Sequence, residues 1–415
     1  GTKKVEIRGK TRRGRARTLA SMRSTVLGVW RRRGAAQHLS NGVVGLRRYS
    51  RRPATLLIHA DGQKKRLYDH ADDVSPPIGV TTTFDCSADG HVYSRDSTPT
   101  SERCQDVLGA LEGGDATLFA SGQAATMAAI SALADTSTRR RRLRLAGGYH
   151  GTHLAKTALL QSVDSAPLGD PSTLEPGDIV WLETPKNPDA SLTDIAAYVG
   201  AAALLEECHV VVDSTFAPPP LQTPLATFGV VMVMHSASKA LSGHSDVLAG
   251  VVLTRKDDGA LLEAVRRYRV AAGAVLGSLE TWLLLRSLRT LDLRVRRQSE
   301  TALAVATFLH VHPLVAKVHH AALQQPELCA RQMPHGAGGI FAIECSSEAA
   351  AKGLPEALKL FRAATSIGGV ESLAEWRHKY DAHVSPTLVR LSVGLEDPGD
   401  LMQDLDEALH RLEKA

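Results

Sequence analysis

What this chain can fold into is constrained most by the stretch from Val211 to Gly250, which opens on an acid and closes around a lysine. The acid, Asp213, ends HVVVD, a β-branched run that reads as a buried parallel strand delivering its last side chain to the carboxyl edge of a sheet. Ligands of open α/β sheets gather at that edge. The lysine, Lys239, lies in HSASK, so its amine is flanked by the hydroxyls of Ser236 and Ser238. An amine beside anion-binding hydroxyls suits a Schiff base with a phosphorylated aldehyde, and pyridoxal 5'-phosphate meets that description. The lysine bonds the aldehyde carbon, the serines hold phosphate, and a carboxylate keeps the pyridine nitrogen protonated so that the ring accepts electrons. An acid and a lysine alone more often mark a strand end and a solvated side chain, so the neighbouring residues decide.

Those neighbours, VDSTFAPPPLQTPL followed by HSASKALSGHSD, resemble the Cys/Met-metabolism family of pyridoxal-phosphate enzymes. That family includes cystathionine γ-synthase, the cystathionine β- and γ-lyases, methionine γ-lyase and the homoserine-ester sulfhydrylases. Its usual Asn is Ser214 here and its usual Thr is Ser238, a swap that keeps the hydroxyl. The resemblance runs in order over residues 55–415. It implies an α/β chain of the aspartate-aminotransferase-like fold type I, with a central, mostly parallel sheet and a smaller C-terminal α/β lobe. The expected divisions are a basic segment 1–53, an N-terminal arm 54–115 contributing to the neighbouring subunit's site, a large cofactor-binding domain 116–312 and a small domain 313–415.

With 415 residues and 43% hydrophobic content the chain can bury such lobes. The five cysteines, Cys86, Cys104, Cys208, Cys329 and Cys345, are scattered and form no C-x-x-C pair, which argues against a disulfide framework and a thiolate zinc site. No apolar run is long enough to suggest a membrane span. Charge is unevenly spread: residues 1–53 hold sixteen Lys or Arg against the single acid Glu6, leaving the remainder acidic. Arginine-rich and nearly acid-free, that segment reads as an organellar presequence, giving a mitochondrial or cytoplasmic expectation. The rival reading, an arm for RNA or anionic lipid, lacks aromatic interleaving, so nucleic acid is not an expected partner.

Further motifs follow in chain order. In HVYSRDSTPTSERC, the hydroxyls of STPT cap a helix beginning near Ser101; the resemblance has Tyr93 and Arg95 reaching across a subunit interface to the partner cofactor's phosphate, hence a dimer-built homotetramer. DATLFASGQAATM reads as strand, turn and helix, with Ser121, Gly122 and Gln123 offering backbone amides to phosphate at the positive end of the helix. The run 139–144, RRRRLR, reads as a solvated loop and strand edge. LAGGYHGTH then places Tyr149 where the family stacks a ring on the pyridine and moves protons, with His150 in place of a Gly. His150 and His153 have no third ligand in register, so no metal is expected.

IVWLETPKNPDASL ends a strand at Glu183, and the resemblance gives Asn187 a hydrogen bond to the cofactor's phenolic oxygen. The segment after Val265 reads as two long helices, the second beginning near Asp292, and a C-terminal amphipathic helix covers residues 399–412. In LVRLSVG, Arg390 sits mid-strand, where a buried guanidinium needs an anionic partner. The resemblance makes it the fork for the substrate α-carboxylate, aided by Ser366 before the Gly pair of SIGGV.

The family's shared step is removal of the α-proton, with Lys239 as the base. Family γ-lyases carry acids where this chain has Val92 and Thr365. The expected activity is a C–S lyase acting on cystathionine or a related thioether amino acid. The alternatives are cystathionine γ-synthase using an activated homoserine, and a cofactor-binding protein with little turnover.

Overall fold

A computed structural model describes residues 52–63, 74–85, 90–136, 141–159 and 163–413. The basic segment up to residue 51 and Cys86 lie outside the described residues.

The larger sheet has seven strands: β1 (Gly114–Phe119), β2 (Arg141–Leu145), β3 (Val163–Pro167), β4 (Asp178–Glu183), β5 (His209–Asp213), β6 (Met232–His235) and β7 (Gly250–Arg255). They lie in the order β1-β7-β6-β5-β4-β2-β3. Neighbours from β3 to β6 are parallel, while β7 is antiparallel to both β6 and β1. The hydrophobic runs of β4 and β5 are continuous because both faces are covered: Val180, Leu182 and Val212 enter one core cluster, while Ile179, Trp181 and Val211 enter another.

Helices start where capping groups sit. Thr98 and Ser101 form a reciprocal capping box on the helix Pro99–Glu112, which Gly113 closes in the left-handed conformation. Ser121 accepts from Ala124 N–H to start the helix Gly122–Asp135 at the carboxyl end of β1.

The smaller sheet contains β8 (Val315–His319), β9 (Ile340–Cys345), β10 (Arg362–Ala363), β11 (Leu373–Trp376) and β12 (Leu388–Ser392), in the order β10-β11-β12-β9-β8. Its own core joins Ala302, Val305 and Leu309 of the helix Leu291–His310 to Leu401 and Leu405 of the closing helix Pro398–Glu413. Among the described residues no helix is long and apolar enough to cross a membrane.

Two local expectations are corrected. The stretch expected as two helices forms three, Gly259–Ala272, Ser278–Leu288 and Leu291–His310, because Gly273 ends the first in the left-handed conformation. The arginine run is not a solvated edge from Arg141 onward: Arg141 and Arg144 are buried within β2. Arg142 Nε and Arg144 Nε each donate at 2.8 Å to a different oxygen of Asp178, which is fully buried at the start of β4. Residues two apart on a strand share a face, so one carboxylate meets both guanidinium groups, with Glu175 beside them.

Candidate active site

The carboxyl edge of the large sheet carries two adjacent acids. Asp213 and Glu183 are register partners on β5 and β4. Asp213 is buried, and its Oδ1 accepts Thr215 N–H at 3.0 Å. Burial holds its carboxyl above the ordinary range, with Thr215 pulling the other way. Glu183 accepts Tyr149 N–H at 2.7 Å and Asn187 N–H at 2.8 Å, tying together the backbones of two expected site residues. Desolvation, reinforced by the charge of Asp213, pushes Glu183 up to about 8.

The two neighbouring acids thus favour holding a proton between them, with a consequence for stability. In the apoprotein the folded chain retains that proton where the unfolded chain, titrating near 4.5, has released it. Stability from this group is therefore full below about 4.5 and is lost as pH climbs through about 8. Glu183→Gln is expected to flatten that part of the pH dependence of the apoprotein's melting temperature. A variant whose melting temperature falls as steeply as the wild type between those limits removes Glu183 as the proton carrier.

Ser236 and the amino-terminus of the helix Gly122–Asp135 meet closely. A Cβ added to Gly122 would lie 2.8 Å from Ser236 Oγ, so only glycine permits this approach. Thr215 Oγ1 accepts Ser236 N–H at 2.9 Å, so Thr215 braces both Asp213 and Ser236. Gln123 contributes its backbone to the helix amino-terminus, while its side-chain amide donates at 2.8 Å to the carbonyl of Gly151, in the helix His150–Ala158. The Ser238 hydroxyl also holds the lysine loop. It donates to Ala249 carbonyl at 3.1 Å and accepts Ala249 N–H at 2.8 Å, strapping the lysine loop to the start of β7.

Lys239 Nζ donates to Ser366 Oγ at 3.2 Å. Its pKa is lowered by burial and by Arg390, with Glu375 acting in opposition. Ser366 has φ 124, a conformation that non-glycine residues rarely adopt. Beyond it, a Cβ on Gly368 would lie 2.7 Å from Ala240 N, so this glycine lets the Ser366 loop close onto the lysine loop. Arg390, buried on β12, donates to Asn187 Oδ1 at 3.0 Å and to Ser366 carbonyl at 3.2 Å. With its carbonyl oxygen taken, Asn187 has its NH₂ to offer a ligand. Burial lowers the Arg390 pKa to about 10, while Glu375, its ion-pair partner, counters the shift.

Lys239, Ser366, Arg390, Asn187, Glu183 and Tyr149 are thus linked by hydrogen bonds. Asp213 joins them through its neighbour Glu183. Tyr149 is 41% exposed, leaving a ring face available, and lies 4.6 Å, centroid to centroid, from His150. Tyr93 and Arg95 stand apart on the exposed arm, the guanidinium 5.3 Å from the tyrosine ring centroid. Among the described residues, no hydrogen bond or ion pair joins either side chain to the group around Lys239. Sequence reasoning missed the bracing roles of Glu183 and Thr215 and the presence of Glu375 and Arg377 beside Arg390. Glu183 was visible as a strand-ending acid; the Glu375–Arg390 pairing depends on cross-strand register.

These residues fit pyridoxal phosphate. A lysine amine, a glycine cradle at a helix amino-terminus beside a serine, and a buried acid at the sheet edge are its three requirements. Residues 54–410 match the family described as Cys/Met metabolism PLP-dependent enzyme. The chain is 34% identical over 366 residues to the cystathionine beta-lyase MetC of Bacillus subtilis, covering 82% of this chain and 92% of that protein. It is 36% identical over 384 residues to the cystathionine gamma-synthase of Mycobacterium bovis, covering 86% and 96%. Among solved structures, the cystathione gamma lyase of Micromonospora echinospora superposes with a TM-score of 0.78 at 35% identity, covering 87% of this chain and 99% of that one. Sheet, site and these likenesses agree: the chain belongs to the Cys/Met metabolism PLP-dependent enzymes.

Proposed function

We propose that this enzyme is a C–S lyase that cleaves cystathionine or a related thioether amino acid. The observation carrying this reading is the placement of Lys239 and Arg390 on one residue, Ser366, whose hydroxyl takes the amine and whose carbonyl takes the guanidinium. Arg390 binds the substrate α-carboxylate, which brings the α-carbon to the amine side of Ser366. Pyridoxal phosphate, when bound through Lys239, would supply an electron sink for that α-carbon. Its phosphate would be held by Ser236, Ser238 and the amides of Gly122 and Gln123. Asp213 would keep the pyridine nitrogen protonated, and Asn187 would offer its NH₂ to the phenolic oxygen. Lys239 would take the α-proton; its lowered pKa makes a neutral amine more accessible. Tyr149 covers the ring and supplies a proton to the departing sulfur.

The cross-subunit role of Tyr93 and Arg95 and a dimer-built homotetramer belong to the same proposal, since these side chains are exposed on the arm. The basic segment 1–53 is read with it as an organellar presequence, giving a mitochondrial or cytoplasmic enzyme. The second reading, γ-synthase from an activated homoserine and cysteine, draws on the non-acidic Val92 and Thr365 and on the likeness to the M. bovis protein.

The deciding experiment is product analysis of the holoenzyme. Cysteine and 2-oxobutyrate from L-cystathionine identify γ-elimination; homocysteine and pyruvate identify β-elimination. Cystathionine formed only from O-acyl- or O-phosphohomoserine plus cysteine moves the assignment to synthase. Bound cofactor with no turnover in any assay overturns both in favour of a cofactor-binding protein.

A further inference from the structure

The carboxylate end of the site holds one acid for two guanidinium groups. Glu375 on β11 lies opposite Arg390 on β12 in register. Its Oε2 accepts from Arg390 Nη2 and, at 3.1 Å, from Arg377 Nη1. Glu375, Arg377 and Arg390 are 5%, 6% and 5% exposed, so their charges must be settled largely among themselves. Yet, among the described residues, Glu375 Oε1 and Arg377 Nε have no hydrogen-bond partner. One is an acceptor and the other a donor, on neighbouring side chains.

Arg390 has the opposite problem. Its two terminal nitrogens already meet Glu375, Asn187 Oδ1 and Ser366 carbonyl. A fork so occupied cannot take a second carboxylate in two-point geometry without releasing a partner, and Glu375 left in place repels the newcomer.

We propose that Arg377 takes over Glu375 when a substrate carboxylate arrives at Arg390. Glu375 turns toward Arg377, its Oε1 meets Arg377 Nε while its Oε2 passes from Nη1 to Nη2 on the same edge to complete a two-point pair, and Arg390 closes on the substrate. The two orphaned atoms are the open half of that second arrangement. Arg377 is accordingly a positioning residue: it acts through Arg390 and makes the site prefer an amine carrying an adjacent carboxylate over an amine alone. The inference rests on the reading of Arg390 as the carboxylate fork.

The test titrates holoenzyme with L-norleucine and with n-pentylamine, which differ by the carboxylate, following the cofactor's visible absorbance. Arg377→Met is expected to weaken L-norleucine on the order of 10–100-fold while leaving n-pentylamine within about twofold. In a Glu375→Gln background the same substitution is expected to change L-norleucine affinity by no more than about twofold, because no buried charge remains to be handed over. Equal weakening of both ligands, no weakening of either, or an undiminished effect in the Glu375→Gln background overturns the handover. Should Arg377→Met fail to load cofactor, Arg377→Lys keeps the charge but loses the fork, and the same selective loss is expected at smaller size. A lysine variant with wild-type L-norleucine affinity also overturns it. A wild-type holoenzyme that responds to neither ligand, or to both without carboxylate preference, removes the carboxylate fork itself, whereas a wild-type preference that Arg377→Met leaves intact removes only the handover.

Discussion

Lys239→Ala is expected to abolish the protein-linked absorbance of the cofactor and to lower turnover on the order of 10⁴-fold, the upper end of what a single general acid–base group contributes. The size follows from the two tasks placed on one amine, anchoring the cofactor and taking the α-proton. No neighbour can inherit them: Arg390 remains protonated, and Ser366, the hydroxyl that meets Nζ, is not a base at neutral pH. Adding a small primary amine such as methylamine is expected to restore part of the activity by supplying the missing base from solution. A variant that keeps both absorbance and turnover would falsify the assignment of Lys239. If absorbance is lost but turnover survives, the lysine anchors the cofactor without acting as base.

Asp213→Asn is expected to reduce turnover by about 10²–10³-fold while leaving the cofactor bound, the cost typical of removing one preorganised electrostatic contact to a developing charge. Asparagine keeps the shape and can still accept Thr215 N–H, so the loss isolates the carboxylate's charge. The same change has a second signature. Asp213 is one cause of the elevated pKa of Glu183, so neutralising it is expected to move Glu183 back toward the ordinary range. In the apoprotein, the decline of melting temperature with rising pH then shrinks. Wild-type turnover in Asp213→Asn would remove the acid from the mechanism, and an unchanged pH profile would remove its coupling to Glu183.

Much of the chemistry was legible because it is written locally. HVVVD becomes β5 with Asp213 at its end, and DATLFASGQAATM becomes a strand, a turn and a helix with Gly122 against Ser236. Arg390 falls within a strand, as its hydrophobic neighbours predict. The misreadings share a physical origin in partners far along the chain. RRRRLR has the composition of a solvated loop, and distant partners make its burial possible: Asp178 for Arg142 and Arg144, brought alongside by parallel pairing, and Glu207 for Arg141. Arg377 carries no local signal; its meaning arises because β11 and β12 place Glu375 opposite Arg390. Gly273 was a local signal, and the helical periodicity around it masked the break.

The buried arginine ladder works as a vernier for the cleft. Because Arg142 and Arg144 grip both oxygens of Asp178, a slip of β2 along β4 by one residue would turn both guanidinium groups to the wrong face. The same two strands run on to the cleft, where β2 leads into the Tyr149 loop and β4 ends in Glu183, whose carboxylate meets Tyr149 N–H at 2.7 Å. Alignment set at the remote edge of the sheet is thereby transmitted along two rigid rods to the tyrosine ring, and a residue that never meets substrate calibrates where that ring lies.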